Sequence, residues 1–208
     1  MLCKLTQEQL ARTILPLGDR TKREVREIAA GAGLSVKDQA ESQEICFVTE
    51  GSYARYLEKE CGSFKSGNFV DEAGNILGRH RGIPWYTVGQ RKGLGLALGH
   101  PVYVKAIRPE TNEVVVAEES ALYASEILCD RISLMGVQEI GEGGLRALVR
   151  IRYHHSGEHA KIVQEGDDRI RMFFDAPVRA PAPGQTAVFY DDRGYVLGGG
   201  RILQALWK

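Results

Sequence analysis

The stretch Leu145–His154, with the sequence LRALVRIRYH, alternates between apolar and polar side chains. Because successive side chains of a β-strand point to opposite faces, this pattern predicts a strand with one buried face. The two predicted faces carry Leu145, Ala147, Val149, Ile151 and Tyr153 on the buried side, and Arg146, Arg150, Arg152 and His154 on the other. The second face is a cationic stripe that could meet phosphate groups, and the solvent-facing side of a half-buried strand explains it equally well.

Similar short strands are predicted on both sides of this stretch. The candidates are residues 127–134, 145–154, 159–164, 169–174, 186–190, 195–198 and 201–205, separated by turns such as Gly166-Asp167 and Asp191–Gly194. Short, evenly spaced strands of this kind predict a small closed barrel over residues 125–208. Pro177–Gly184 is interpreted as a proline-rich connector between two of the strands.

The segment before the barrel is also predicted to be mostly β. Phe69–Leu77 has the pattern of a strand, a turn and a second strand, and Trp85–Val88 is predicted to form another. Val102–Ile107 is predicted to pair with Val114–Val116. Residues 63–124 are therefore interpreted as a small central β domain.

The first part of the chain carries helix signals instead. Thr6–Gln9 and Thr21–Glu24 each have the pattern of a capping box, and Gly33 is predicted to end the second helix. Ser52–Glu60 is predicted to form a third, amphipathic helix. The predicted fold class is α+β and mostly β, with short helices in residues 1–62, the central β domain and the barrel.

Composition limits the classes of function. The 208 residues carry no formal net charge, which argues against an RNA-binding protein driven by overall charge alone. The four cysteines, at positions 3, 46, 61 and 129, include no Cys-x-x-Cys pair, so neither a zinc site nor a disulfide scaffold is expected. This favours a reducing, cytoplasmic compartment. With no long apolar run in the sequence, no membrane contact is expected.

Cys46 stands in a polar segment, Glu41–Val48, with the sequence ESQEICFV. If this segment is extended and packs Ile45 and Phe47 inward, the thiol of Cys46 turns outward and can be reached. The carboxylate of Glu44 would disfavour the thiolate. Free cysteines more often behave as small buried hydrophobes, so a structural role is the competing interpretation.

Two further motifs invite a ligand. Arg91–Gly99 is rich in glycine, but Leu98 occupies a position where the dinucleotide fingerprint needs glycine, and a strand is predicted to follow. Such a loop, bearing Arg91 and Lys92, can instead wrap a polyanion, and a mobile surface loop is the alternative. A cluster at His154, His155 and His159 lacks a partnering carboxylate or cysteine, so no metal site is predicted.

Three short sequences carry a resemblance to a known family. They are LTQEQL at residues 5–10, SQEICF at 42–47 and YTVGQRKGLG at 86–95, and the similarity extends over essentially the whole chain. The chain resembles the tRNA-specific 2-thiouridylases, which replace the C2 oxygen of the wobble uridine with sulfur. The resemblance implies a fragment: the end of an ATP-pyrophosphatase-type catalytic domain in residues 1–62, then the central β domain, then a tRNA-contacting barrel.

The resemblance also implies a mechanism and a set of site residues. In the family, ATP with magnesium adenylates the uridine, a persulfide on the cysteine matching Cys46 donates sulfur, and a second cysteine releases it with formation of a disulfide. Family members contact tRNA at positions that look like Arg152, Tyr153 and Gln185, and the resemblance favours an RNA-facing role for Arg91 and Lys92.

Partners and cofactors follow from the same resemblance. The expected partners are tRNA, in particular the tRNAs for Lys, Glu and Gln, and a sulfur-relay or cysteine desulfurase protein that loads Cys46. The phosphate loop and the second cysteine of the family have no counterpart in this sequence, so ATP and magnesium are expected to bind only in the full-length protein. The chain alone is expected to be inactive and to hold no cofactor.

Two other classes of function stay open from the sequence. One is a non-catalytic RNA-binding β-barrel module in which Cys46 is structural. The other is a β-rich interaction protein that meets another protein through its first helices. Binding of tRNA that depends on salt separates the first from the second, and the tRNA sulfur content of a Cys46 variant separates both from the thiouridylase.

Overall fold

The computed structural model describes residues 2–34 and 53–207. These belong to two compact units, one formed by Met1–Thr6 with Phe64–Lys208 and the other by Gln7–Ser63. The stretch Glu41–Val48, including Cys46, lies outside the described residues. The assignment of residues 1–62 to a catalytic domain therefore stays a prediction.

The described part of Gln7–Ser63 is helical. It contains α1 (Gln7–Ala11), α2 (Lys22–Gly31) and α3 (Tyr53–Cys61). α2 begins with the predicted capping box. The carboxylate of Glu24 accepts a hydrogen bond from the backbone N–H of Thr21 at 2.7 Å, and Oγ1 of Thr21 accepts one from the backbone N–H of Glu24 at 3.3 Å. The chain leaves the helix at Gly33, also as predicted. None of the described helices is long and apolar enough to cross a membrane.

The unit formed by Met1–Thr6 and Phe64–Lys208 contains a four-stranded sheet and a barrel. The sheet is formed by β1 (Gly67–Val70), β2 (Ile76–His80), β3 (Tyr103–Arg108) and β4 (Glu113–Ala117), in the order β2-β1-β4-β3. β1 and β4 are parallel and the other pairs antiparallel. The strand pairs predicted around Phe69–Leu77 and between residues 102–107 and 114–116 are thus present. The core of this sheet comprises Phe69, Tyr86, Leu94, Val104, Val114 and Val116.

The predicted strand at Trp85–Val88 is wrong. Ile83–Trp85 forms a single 3-10 turn instead, with Pro84 inside it. Proline lacks the N–H that a strand would donate to its neighbour, and its fixed φ suits the start of a helical turn. Tyr86 is nevertheless buried, with its ring centroid 5.1 Å from that of Phe69 in an edge-to-face arrangement.

The barrel is closed and entirely antiparallel. Its strands are β5 (Tyr123–Leu134), β6 (Leu145–Arg150), β7 (Glu158–Gln164), β8 (Arg169–Arg179), β9 (Thr186–Tyr190) and β10 (Val196–Trp207), arranged β10-β5-β8-β7-β6-β9. Large side chains that are completely or almost completely buried fill its interior, among them Ile127, Ile162, Ile170, Met172, Phe189 and Ile202. The predicted fold class, α+β and mostly β with a terminal barrel, is confirmed.

Strand ends differ from the prediction in three places. The two strands predicted at 195–198 and 201–205 are one strand, β10, interrupted by bulges. β8 continues to Arg179 and includes Pro177, which was assigned to a connector; a bulge in its pairing with β5 accommodates the missing N–H donor. β6 stops at Arg150, four residues earlier than predicted.

His80 is the one buried polar side chain among the described residues. Its Nδ1 accepts from the backbone N–H of Gly82 at 3.0 Å, so the proton of the neutral ring lies on Nε2, which donates to the carbonyl oxygen of Asn112 at 3.1 Å. Its ring packs edge-on against Phe69 and Tyr86. Burial, as the largest cause, lowers the pKa of His80 below its ordinary value.

This environment predicts a pH dependence of stability. The pKa of His80 is lower in the folded chain than in the unfolded chain. The contribution of neutral His80 to stability is therefore complete above the unfolded pKa of about 6.5 and is lost as pH falls through the folded pKa. His80→Gln should therefore reduce the decline in the free energy of unfolding between about pH 7.5 and about pH 5, measured by urea denaturation.

The exposed His100 provides the control, since His100→Gln should leave that decline unchanged. If the free energy of unfolding declines equally in His80→Gln and in the unmodified chain, His80 is not the cause of the pH dependence.

Candidate nucleic-acid interface

Arg152 and Tyr153 follow the end of β6, and Gln185 precedes the start of its neighbour β9. The last pair between β6 and β9 is Arg150 with Val188, two residues before Arg152 and two residues after Thr186. Because the strands are antiparallel, the segment that leaves β6 and the segment that enters β9 emerge at the same end. We call this end, where β6 ends and β9 begins, the Arg152 rim. The turn Asp191–Tyr195, between β9 and β10, lies at the opposite rim.

Tyr153 is 91% exposed. The sequence pattern predicted it on the buried face, and this was wrong because β6 ends at Arg150 and the next residues turn away from the sheet. Its ring stands edge-on to that of His154, with the centroids 4.9 Å apart. An aromatic ring presented to solvent in this way can serve as a platform on which an unpaired base stacks.

The cations of β6 do not form a continuous stripe. Arg146 donates two hydrogen bonds, at 2.8 and 2.6 Å, to the carboxylate of Asp175, which lowers the pKa of that carboxyl and keeps the pair charged. The Arg150 guanidinium lies 5.4 Å from the ring centroid of Tyr190. Burial, followed by the charge of Arg152, lowers the pKa of His155. Arg146 is thus neutralised within the chain, whereas the remaining positive charge lies toward the Arg152 rim.

Gln185 is held by its backbone. Its N–H donates to the carbonyl of Ala182 at 3.2 Å, and its own carbonyl accepts from the N–H of Ile202 on β10 at 2.7 Å. The residue is exposed. A polar side chain on a fixed backbone is thus presented to solvent at the start of β9.

Arg91 and Lys92 lie on a loop that is anchored on both sides. Gly89 donates to the carbonyl of Val104 at 2.7 Å, and Val104 donates back to that of Gln90 at 2.9 Å. The side chain of Gln90 donates to the carbonyl of Lys92 at 3.0 Å, and Leu94 is buried in the core of the small sheet. Arg91 and Lys92 are exposed between these anchors.

The same loop meets the barrel at the end of β8. A Cβ added at Gly89 would lie 3.1 Å from Cβ of Ala180 and 3.8 Å from Nη1 of Arg179. At the Arg152 rim, the start of β9 pairs with β10, whose last residues continue beyond it. The start of β5 and the end of β8 lie at the same rim, because Ala124 of β5 pairs with Trp207 of β10 and Tyr123 of β5 pairs with Arg179 of β8. The structure therefore brings all five predicted tRNA-contacting residues to one end of the barrel. Their binding role stays a prediction.

Cysteines and histidines give no metal centre in the described part of the chain. No group of three or more His, Cys, Asp or Glu side chains there could hold a metal ion. Cys3, Cys61 and Cys129 are free thiols. Burial, with the neighbouring Asp130, raises the pKa of Cys129 to about 12, so this thiol is unreactive near neutral pH.

Comparisons with known proteins agree with this architecture. Three family models match in succession: the tRNA methyl transferase HUP domain over residues 1–50, the tRNA methyl transferase PRC-barrel domain over 54–118 and the aminomethyltransferase beta-barrel domain over 124–202. The tRNA-specific 2-thiouridylase MnmA of Lachnoclostridium phytofermentans is 48% identical over 98% of this chain and 57% of the relative. The protein of the same name from Carboxydothermus hydrogenoformans is 46% identical over 99% of this chain and 56% of the relative. The one from Halothermothrix orenii is 42% identical over 97% of this chain and 56% of the relative.

Two of the matched family models are named for tRNA methyl transferases and the third for an aminomethyltransferase, and each covers less than half of the chain. The relatives carry the family assignment because each matches nearly the whole chain. The chain belongs to the family of tRNA-specific 2-thiouridylases. It spans a little more than half the length of the curated relatives that it matches.

The contact between Gly89 and Ala180 can be tested by substitution. Gly89 has φ 89°, and Ala180, which would have to give way to a Cβ, is itself held at φ 54° by a 2.7 Å hydrogen bond to the carbonyl of Leu122. Gly89→Ala should lower the free energy of unfolding by about 2 kcal/mol, the sum of backbone strain and crowding, as measured by urea denaturation.

Gly95→Ala is the matched control. Gly95 also has a positive φ, 71°, but no atom lies within 4 Å of an added Cβ, so this variant should lose only about 1 kcal/mol. Equal losses in the two variants would show that the loop does not pack on the barrel.

Proposed function

We propose that this chain is part of a tRNA 2-thiouridylase. The barrel and the loop that carries Arg91 and Lys92, called the Arg91 loop, hold the tRNA while Cys46 supplies sulfur to C2 of the wobble uridine. The observation that supports the proposal most is the arrangement at the Arg152 rim, where the exposed ring of Tyr153, the exposed Gln185 and Arg152 lie at the same end of the barrel. The names of the relatives point to the same substrate.

The proposed chemistry uses a persulfide on Cys46. After ATP has adenylated the C2 oxygen with release of pyrophosphate, the terminal sulfur attacks C2 and AMP leaves with the oxygen. A second cysteine thiolate then attacks the Cys46 sulfur, which breaks the S–S bond, leaves sulfur on C2 and forms a disulfide between the cysteines. A thiol reductant and a sulfur-donor protein restore the persulfide for the next turnover.

Two of the three described cysteines are poor candidates for the sulfur chemistry. Cys3 and Cys129 are buried, and the raised pKa of Cys129 makes its thiolate rare. Cys61 is exposed on α3. The phosphate loop that the resemblance implies has no counterpart in this sequence, so ATP and magnesium are proposed to bind elsewhere in the full-length protein. The chain alone should form no 2-thiouridine.

The sulfur chemistry is tested in the full-length gene. Cys46→Ser should abolish 2-thiouridine in cellular tRNA, measured by mass spectrometry of nucleosides, because serine cannot carry a persulfide. Cys61→Ser, at the exposed cysteine, is the control and should leave the modification intact. Unchanged 2-thiouridine in Cys46→Ser, at normal protein level, would favour an RNA-binding module with a structural Cys46.

Contact with tRNA is tested with the 208-residue chain by fluorescence anisotropy. Tyr153→Ala should weaken binding roughly tenfold through loss of base stacking, and Arg152→Gln should lower the slope of log K against log salt by about one. The opposite rim provides matched controls, since Tyr195 is 68% exposed there and Arg193 is exposed beside it.

Tyr195→Ala and Arg193→Gln should bind tRNA as the unmodified chain does. Equal losses at both rims would mean that contact is non-specific, and no salt-dependent binding at all would favour a protein-interaction module.

A further inference from the structure

Two arginines that are distant in the sequence share one aromatic ring. The Cζ atoms of Arg91, on the loop, and Arg179, at the end of β8, lie 6.0 and 5.2 Å from the ring centroid of Tyr103. The ring is 7% exposed, whereas the side chain of Arg179 is 28% exposed and Arg91 is exposed. Both guanidinium groups can therefore reach solvent from a fixed base.

The backbone around this cluster explains why both cations lie near the ring of Tyr103. The loop packs on Ala180 through Gly89, two residues before Arg91, and Ala180 follows Arg179 directly. Tyr103, Leu122 and Ala180 form a small buried cluster of their own, with Val88 packed against it. The position of Arg91 relative to Arg179 is thus set by contacts on both sides.

One carboxylate organises the cluster. Oε1 of Glu119 accepts from Nε of Arg179 at 3.1 Å, and Oε2 accepts from the hydroxyl of Tyr103 at 3.3 Å. Glu119 thereby fixes both the ring of Tyr103 and the guanidinium group of Arg179. In the described part of the chain, no ion pair is recorded for Arg91, and Arg179 has one, with Glu119.

The charges do not cancel. Glu119 pairs with Arg179, whereas the guanidinium of Arg91 lies near the ring of Tyr103, and Glu118 lines the adjoining groove. Arg91 has no carboxylate partner among the described residues, so its positive charge is not compensated by an ion pair. The donors of Arg179 that Glu119 does not use, together with those of Arg91, match the oxygens of a phosphate group.

We propose that Arg91 and Arg179 bind one backbone phosphate of the tRNA between them, and that Glu119 is the positioning residue that holds Arg179 and Tyr103 for this contact. The inference rests on the proposed contact between the chain and tRNA, and it assigns Arg179 a role that its place in a proline-rich segment did not suggest. It extends the proposed interface from the Arg152 rim to the joint, by which we mean the contact between the barrel and the small-sheet loop at Gly89 and Ala180.

The first experiment measures the salt dependence of tRNA binding by the chain. Arg179→Gln should weaken binding roughly five- to tenfold at low salt and lower the slope of log K against log salt by about one. Arg179→Lys, which keeps the charge, should keep the slope, and Arg193→Gln at the opposite rim should change neither quantity. A loss of stability in Arg179→Gln with an unchanged slope would make Arg179 a purely structural link and overturn the proposal.

Two further variants test the shared phosphate and the positioning. If Arg91 and Arg179 hold one phosphate, the double variant with both changed to Gln should lose less affinity than the product of the single losses. If the affinity loss of the double variant instead equals the product of the two single losses, Arg91 and Arg179 contact the tRNA separately and do not share one phosphate. Glu119→Gln should weaken binding although it adds positive charge to the cluster, and tighter binding would show that Glu119 is no positioning residue.

A probe other than tRNA separates this inference from the proposed function. Inorganic phosphate, titrated into the chain, should shift the Nε–H NMR signals of Arg91 and Arg179 together and leave that of Arg193 unchanged. Unshifted Arg91 and Arg179 signals would overturn the phosphate site even if tRNA binds through Tyr153. Shifted signals without any binding of tRNA would support the anion site and overturn the proposed function.

Discussion

Closure of the barrel depends on β10 pairing with a neighbour on each side across three consecutive glycines, Gly198–Gly200. A Cβ at Gly198 would lie 2.5 Å from the Phe189 ring and 2.6 Å from the carbonyl oxygen of Ser133, and one at Gly200 would lie 2.6 Å from the Ile132 side chain. Side chains at these positions would force β5 and β9 away from β10. The whole barrel therefore requires that this segment have none, which leaves room for Phe189 in the core.

Closure also decides what lies at each end. β5, β8 and β10 are about twice as long as the other three strands, and beyond Arg201 β10 pairs with β5 alone. This extension projects from the Arg152 rim and meets the small sheet, where the ammonium group of Lys105 lies 5.3 Å from the ring centroid of Trp207. Residues from the Arg91 loop and from β6, β8 and β9 consequently face the same end, although they are far apart in sequence.

The sequence was sufficient for the barrel and the strand pairs because alternation with a period of two is a local property of each segment. It could not predict where a strand ends, because that depends on the partner: β9 begins at Thr186 and its pairing with β6 stops at Val188 and Arg150, so Tyr153 turns outward. The proximity of Arg91 and Arg179 to the same ring, that of Tyr103, was equally hidden, since it depends on contacts at Gly89 and Ala180 between separate elements. The role of Cys46 still rests on the family resemblance.

A formal net charge of zero is compatible with an RNA-binding surface because the charges are distributed unevenly. On the barrel exterior, Arg146, Arg171 and Arg201 each form hydrogen-bonded pairs with carboxylates that neutralise them locally. At the Arg152 rim and the joint, Arg152 and Arg91 form no ion pair with a described residue, and Arg179 pairs with Glu119. A chain without net charge gains little from long-range attraction, so its contact with a polyanion has to depend on short-range geometry. If the chain contacts tRNA as proposed, the position of a few guanidinium groups and of the exposed Tyr153 ring decides affinity, and the closed barrel with its extension holds them in place.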